Sequence, residues 1–149
     1  MKVFLAGIIQ GSLAEESIHQ QDWREPITRL LVEHVPEAEI YCHYSVHPNS
    51  ITYGMQQIVE TFEDGLRRAH ESDLVICWVP EASMGTAIEM YEAYQRGAAV
   101  VTISPMSANW VLRIYSHELL GSLEEFAAMV QSGRLRELVE DKRAIRERQ

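Results

Sequence analysis

Three stretches of this 149-residue chain are apolar almost without interruption: "KVFLAG" at 2–7, "DLVICWV" at 73–79 and "AAVVTIS" at 98–104. A strand with one wet face alternates apolar and polar residues, whereas a strand covered on both faces does not. A fourth segment, "AEIYCHY" at 38–44, reads as a further strand, and a brief fifth lies near Leu119–Leu120. Between the strands come segments of helical period. Alternation of this kind predicts an α/β domain: a single-domain, doubly wound parallel sheet of about five strands, in a three-layer flavodoxin-like or Rossmann-like arrangement.

The intervening helices have readable ends. Asp22 is a candidate cap for a helix with Pro26 near its start and Ile27, Leu30, Leu31 and Val35 on one face. Residues 55–71 predict a helix with Ile58, Phe62, Leu66 and Ala69 as its apolar stripe. Met84 to Arg96 predicts another, stopped by Gly97. A short helix is expected over 109–115, and Ser122 with Glu125 forms a capping-box pattern ahead of "FAAMV". Residues 134–149 predict a charged terminal helix with Leu135, Leu138 and Val139 on one side. "IIQGSLAEESIHQQ" and "SVHPNSITYG" read as loops. No repeat or linker divides the chain, so one domain is expected over 1–149.

Bulk properties narrow the function. A domain of this length buries roughly 70% of the surface its unfolded chain exposes, so it needs no disulfides. The net charge of -9 disfavours nucleic acid polymers and anionic membranes as partners, but not a small nucleotide. Cys42 and Cys77 lie in strand-like runs and read as buried thiols of a reduced, cytoplasmic protein. No apolar run reaches the ~18 residues of a membrane span. The N-terminus reads as a core strand, not a signal peptide.

Open sheets of this class bind ligands beyond the carboxyl ends of their strands. Here those ends are the loops after Gly7, Tyr44, Val79 and Ser104. "ASMGTAIEM" (82–90) opens a helix at one of them. Periodicity places Met84, Ala87, Ile88, Met90, Tyr91 and Tyr94 on an apolar arc and Glu89 on the opposite, solvated side. Position makes Glu89 a candidate nevertheless. Ser83, Gly85 and Thr86 offer hydroxyls and free amides at the same helix start, and small Gly85 and Ala93, four residues either side of Glu89, admit close approach by another backbone or a second subunit.

Other constellations read weakly. His43 and His47 fall on strand and loop and lack a third ligand at metal-site spacing. Trp23, Trp78 and Trp110 read as core or interface, with Trp110 also a candidate to stack on a base. Tyr53 is a candidate pocket residue. No Walker-type loop or dinucleotide fingerprint is present, and Ser104 and Ser107 have no assignable histidine and acid partners.

The run "SDLVICWVPEASMGTAIEMYEAYQRGAAVVTISP" resembles the nucleoside 2-deoxyribosyltransferases and the related nucleoside 5'-monophosphate N-glycoside hydrolases. The shared pattern is a strand, a small or acidic residue, then Gly-x-x-x-Glu opening a helix. "KVFLAG" with its polar loop and "SANWVLRIYSHELLGSLEEF" extend the resemblance over about Lys2–Phe126. It implies that Glu89 is the nucleophile that attacks the anomeric carbon, a role suited to a carboxylate facing an oxocarbenium-like centre. It implies a second acid, matched best by Asp64 with Glu63 beside it, that helps the base leave or activates the acceptor. Ser83 matches a position where aspartate goes with free nucleosides and serine with 5'-phosphates. The first loop departs from the family: Phe4 stands where an aromatic hydroxyl is usual, Ile8 for a serine, and Gln10 for the arginine of the phosphate branch. Gly7, Gln10, Gly11 and Ser12 remain as a substrate cradle. The resemblance further implies a homodimer or higher homo-oligomer with a shared site, completed from Asn109, Arg113 and Ser116 of a neighbouring copy. Arg113 is a candidate replacement for the missing arginine. No metal or organic cofactor is implied. A non-catalytic nucleotide-binding or sensing protein on the same fold is the alternative.

Overall fold

The computed structural model describes residues 1–11 and 13–148. Ser12, read above as part of the first-loop cradle, lies outside the described residues. In chain order the elements are β1 (Lys2–Gly7), α1 (Arg24–His34), β2 (Glu39–Cys42), α2 (His43–Val46), a 3-10 turn (Ser50–Thr52), α3 (Met55–Glu71), β3 (Leu74–Trp78), α4 (Met84–Gln95), β4 (Ala99–Ile103), α5 (Trp110–Tyr115), β5 (Glu118–Leu120), α6 (Leu123–Gln131) and α7 (Arg134–Arg146). All strand pairs are parallel, in the order β2-β1-β3-β4-β5. This is the flavodoxin-like order, and its connections reverse direction between β1 and β3.

Two apolar layers sandwich the sheet. Val3, Leu5, Leu74, Ile76, Val101 and Ile103 pack on one face against Ile27 and Leu31 of α1, Phe126 of α6 and Leu135 and Val139 of α7. Phe4, Ala6, Val75, Cys77 and Val100 pack on the other against Ala69 of α3, Met90 and Ala93 of α4 and Leu112 of α5. Successive strand residues thus serve opposite layers, which is why β1, β3 and β4 read as unbroken apolar runs. At the amino edge of the sheet one carboxylate fastens α7 to β1. Asp73 accepts from the Lys2 backbone N–H at 2.8 Å and pairs with Arg143 at 2.5 Å and Arg146 at 2.9 Å.

Four expectations are corrected. β2 ends at Cys42, and His43 and Tyr44 begin a helical turn instead of extending the strand. His43 and His47 therefore lie one turn apart, with ring centroids separated by 5.1 Å. Asp22 does not cap α1; Trp23 occupies the cap position with no side-chain hydrogen bond. On α3 the buried positions are Gly65 and Ala69, while Ile58 and Phe62 of the expected stripe are exposed.

The largest correction concerns α4. Of its apolar arc only Met90 is buried, and Met84, Ile88 and Tyr91 stand 80%, 47% and 45% exposed. The small and polar row turns inward because α3 lies across it. A Cβ on Gly85 would sit 3.6 Å from the Phe62 ring, and one on Gly65 would sit 3.5 Å from Glu89 Oε1. Ala93 is in the core. The close approach that these small residues permit is thus filled by α3 of the same chain.

Candidate active site

The reversal between β1 and β3 leaves a cavity of about 290 Å³ over the carboxyl end of β1. Gly7, Gln10 and Gly11 line it from the first loop, Arg24 from α1, His43 from α2, Thr61, Phe62 and Gly65 from α3, and Ser83, Gly85, Thr86 and Glu89 from α4. Gly7 has no substitute there, because a side chain would run into the Trp23 ring. Gly11 adopts a φ of 58°, in the left-handed region that glycine enters without strain.

Glu89 is half-buried and lines this cavity. Its carboxylate has no hydrogen-bond or ion-pair partner among the described residues. Burial pushes its pKa up to about 8, and the positive charge of Arg24 opposes that shift. Ser83 caps α4: its hydroxyl accepts from the Thr86 N–H at 3.4 Å and shares a hydrogen bond of 2.9 Å with the Thr86 hydroxyl. The start of α4, with its free amides, therefore borders the same cavity as Glu89.

The structure brings together Glu89, Gly7, Gln10, Ser83 and Gly85 from the expected set. The others lie elsewhere. Phe4 is fully buried in the α3/α4 layer, its ring 5.5 Å from that of Tyr41. Asp64 does not line the cavity; its carboxylate is taken by Arg67 and Arg68. The Arg68 hydrogen bond is the main cause that holds its pKa below the usual carboxylate range, with Arg67 adding to it. Glu63, its neighbour, is exposed. Asn109 caps α5 through a bond from the Leu112 N–H (3.2 Å) and lines a smaller cavity of about 190 Å³ that shares Ser83 and Met84 with the first. Arg113 is exposed on α5, and the Ser116 hydroxyl donates to Thr102 Oγ1 at 2.7 Å. Tyr53 borders a groove beside the main cavity and bonds His47 Nδ1 at 3.1 Å.

Sequence reasoning missed two residues that line the cavity, Arg24 and His43, and the buried hydroxyl of Tyr41 outside it. Arg24 is 6% exposed. Its Nε donates to Gln21 Oε1 at 2.8 Å, and its Nη1 contacts the Leu5 carbonyl and the Cys42 sulfur, both at 3.3 Å. The guanidinium lies 4.2 Å over the Trp23 ring. Burial lowers its pKa, and Cys42 and Glu89 act the other way. A signal existed: residues 24, 27 and 31 share one helical face, so Arg24 belongs to the buried stripe of α1. His43, hidden by the overlong β2, has its pKa lowered to about 4, first by burial and then by His47 and Arg24. The Tyr41 hydroxyl is buried with no partner, beside Phe4 on the neighbouring strand in direct register. Tyr41 and Phe4 are adjacent only through strand pairing, which no local pattern encodes.

Comparison with known proteins places the fold. No family model and no curated protein matches the chain. Among solved structures it is similar to a 2-deoxyribosyltransferase from Bacillus psychrosaccharolyticus, with a TM-score of 0.64 and 14% identity over 85% of this chain and 90% of that one. It is similar also to a CMP N-glycosidase from Clostridium botulinum, with a TM-score of 0.53 and 18% identity over 88% and 98%. A conserved protein from Enterococcus faecalis V583 matches with a TM-score of 0.58 and 13% identity over 89% and 98%. At these identities the likeness is one of fold.

Proposed function

We propose that this protein cleaves or transfers the N-glycosidic bond of a (deoxy)nucleoside or nucleoside 5'-monophosphate, with Glu89 as the nucleophile. The observation that carries the reading is a carboxylate with no partner of its own, in a cavity at the point where the sheet reverses. A structural glutamate at such depth would be hydrogen-bonded or paired. One left unsatisfied suits a centre that turns positive only when the base departs. The similarity of fold to a deoxyribosyltransferase and a CMP N-glycosidase supports the same chemistry. Ser83, Gly85, Thr86 and the Gly7–Gly11 loop would hold the sugar and its 5' end through hydroxyl and amide donors.

The working unit in this proposal is a homodimer. Met84, Ile88 and Tyr91 of α4 and Trp110, Val111 and Ile114 of α5 are all exposed on neighbouring helices. A monomer rarely leaves so much apolar surface in one region. The face begins at Met84, on the cavity rim, and exposed Asn109 and Arg113 lie along it, where a second copy would meet them.

One observation favours the alternative of a nucleotide-binding sensor: among the described residues, no second carboxylate lines the cavity. A panel of nucleosides and 5'-monophosphates, assayed for free base by chromatography, separates the two. Base release that vanishes in Glu89→Ala supports the enzyme. Tight binding of a nucleotide with no release across the panel overturns it.

A further inference from the structure

The cavity holds two ionisable side chains with no ion-pair partner among the described residues. Glu89 is one. The other is Arg24, the one buried arginine among the described residues, with no carboxylate within 4.0 Å. The other arginines that pair with carboxylates do so at the surface or at the amino edge. A buried guanidinium without a counter-charge is expensive to fold around, which implies that something else meets it in use. Three contacts fix its position, through Nε and Nη1, and these leave Nη2 without a partner among the described residues.

The two side chains come from helices in opposite layers of the sheet. Glu89 belongs to α4, in the layer with α3 and α5, whereas Arg24 belongs to α1, in the layer with α6 and α7. The cavity bridges them across the end of β1, lined by Leu5 and Gly7. Displacement at an anomeric carbon is in line, so the nucleophile and the departing base occupy opposite sides of that carbon. A sugar attacked from the α4 side therefore expels its base toward the α1 side. Among the described residues, no acid stands there to protonate that base. Asp64 is held by two arginines outside the cavity, and His43 is neutral at neutral pH.

We infer that Arg24 is a catalytic residue that stabilises the departing base as an anion, in place of a general acid. This inference rests on the proposed role of Glu89. As the C1'–N bond breaks, its electron pair passes to the ring nitrogen of the base while an oxygen of Glu89, in its ionised carboxylate form, bonds to C1'. Arg24 Nη2 donates a hydrogen bond to the acceptor beside that nitrogen, O2 of a pyrimidine or N3 of a purine. In the second step water attacks C1', the Glu89–C1' bond breaks, and the proton of that water passes to the base anion. A fixed cation aimed where negative charge develops is worth about 10²–10³ in rate.

The test is dependence on the leaving group. For whichever parent nucleoside or nucleotide the wild type turns over, kcat/KM is measured beside an analogue with a more acidic base, such as 5-fluorouracil against uracil. Arg24→Met and Arg24→Gln are expected to lose about 10²–10³-fold on the parent and about tenfold or less on the analogue. Glu89→Ala is expected to lose both alike. The ratio of the two substrates does not depend on how much of a variant is folded, so a destabilised variant still reports. An equal loss on both substrates in the Arg24 variants overturns this role and leaves that of Glu89 standing. A wild type that releases no base from any substrate overturns both.

Discussion

Asp73 and Glu89 are both acids at the ends of sheet connections, and they are treated in opposite ways. Asp73, at the amino edge, is met by the Lys2 N–H, Arg143 and Arg146, and these bonds outweigh its burial to hold its pKa far below the usual carboxylate range. Glu89, at the carboxyl edge, has no such bonds, and burial takes its pKa up to about 8. The first acid contributes to folding. The second costs stability in its charged form, as the proposed role of Glu89 would require. In the proposed function, the edge of the sheet at which each acid lies separates a structural clamp from a reactive group.

The largest effect that would break this contrast is on catalysis. Glu89→Ala is expected to lower kcat on the responsive substrate by roughly 10⁴-fold or more, the scale of a lost nucleophile. Asp73→Asn should leave kcat within about twofold. A comparable loss in both would mean that the two acids do not differ in kind.

Next comes stability. Asp73→Ala is expected to cost about 1–3 kcal/mol in urea unfolding, since hydrogen bonds to a charged group are lost and both arginines keep access to water. Glu89→Gln should be neutral or stabilising at pH 8 and above. An Asp73→Ala variant with an unchanged midpoint would reduce the clamp to a surface decoration.

The two acids should also divide the pH profile of stability. Glu89 has a raised folded pKa, so the folded state binds its proton more tightly than the unfolded chain does. That contribution is present below about pH 4.5 and fades as pH rises through about 8. Asp73 has a depressed folded pKa, so its contribution is present above the ordinary aspartate value of 3.8 and is lost as the solution becomes more acid. Thermal melts from pH 3 to 9 should show that Glu89→Gln flattens the alkaline side only and Asp73→Asn the acid side only. If the pairing were exchanged, the electrostatic contrast would be wrong.

A smaller effect sharpens the account of α4. Ile88→Glu, on the exposed face, should leave the monomer's stability within about 0.5 kcal/mol. By sedimentation it should shift a dimer toward monomer. A sedimentation profile identical to wild type would remove this face as the interface.

Much of the fold was legible in the chain. Unbroken apolar runs can exist only where both sheet faces are covered, so β1, β3 and β4 and the doubly wound class followed from local pattern. The start of α4 at Met84 was legible in the chain, and the structure adds that Ser83 caps it. Glu89 was found by position and resemblance, against its own periodicity.

Tertiary structure alone decided what the helical faces meet. A hydrophobic arc says which side of a helix avoids water; it does not say whether a sheet, a neighbouring helix or another molecule covers that side. On α1 the arc and the core coincide at Ile27 and Leu31. On α4 they do not, because α3 crosses the small row at Gly85 and Glu89 and leaves Met84, Ile88 and Tyr91 outside. The meeting of Arg24 and Glu89 is likewise a product of packing. They are 65 positions apart in the sequence, on helices of opposite layers, and only the closing of the sheet around β1 sets them in one cavity. Local periodicity sees a few residues at a time, whereas a cavity is defined by elements that share no sequence neighbourhood.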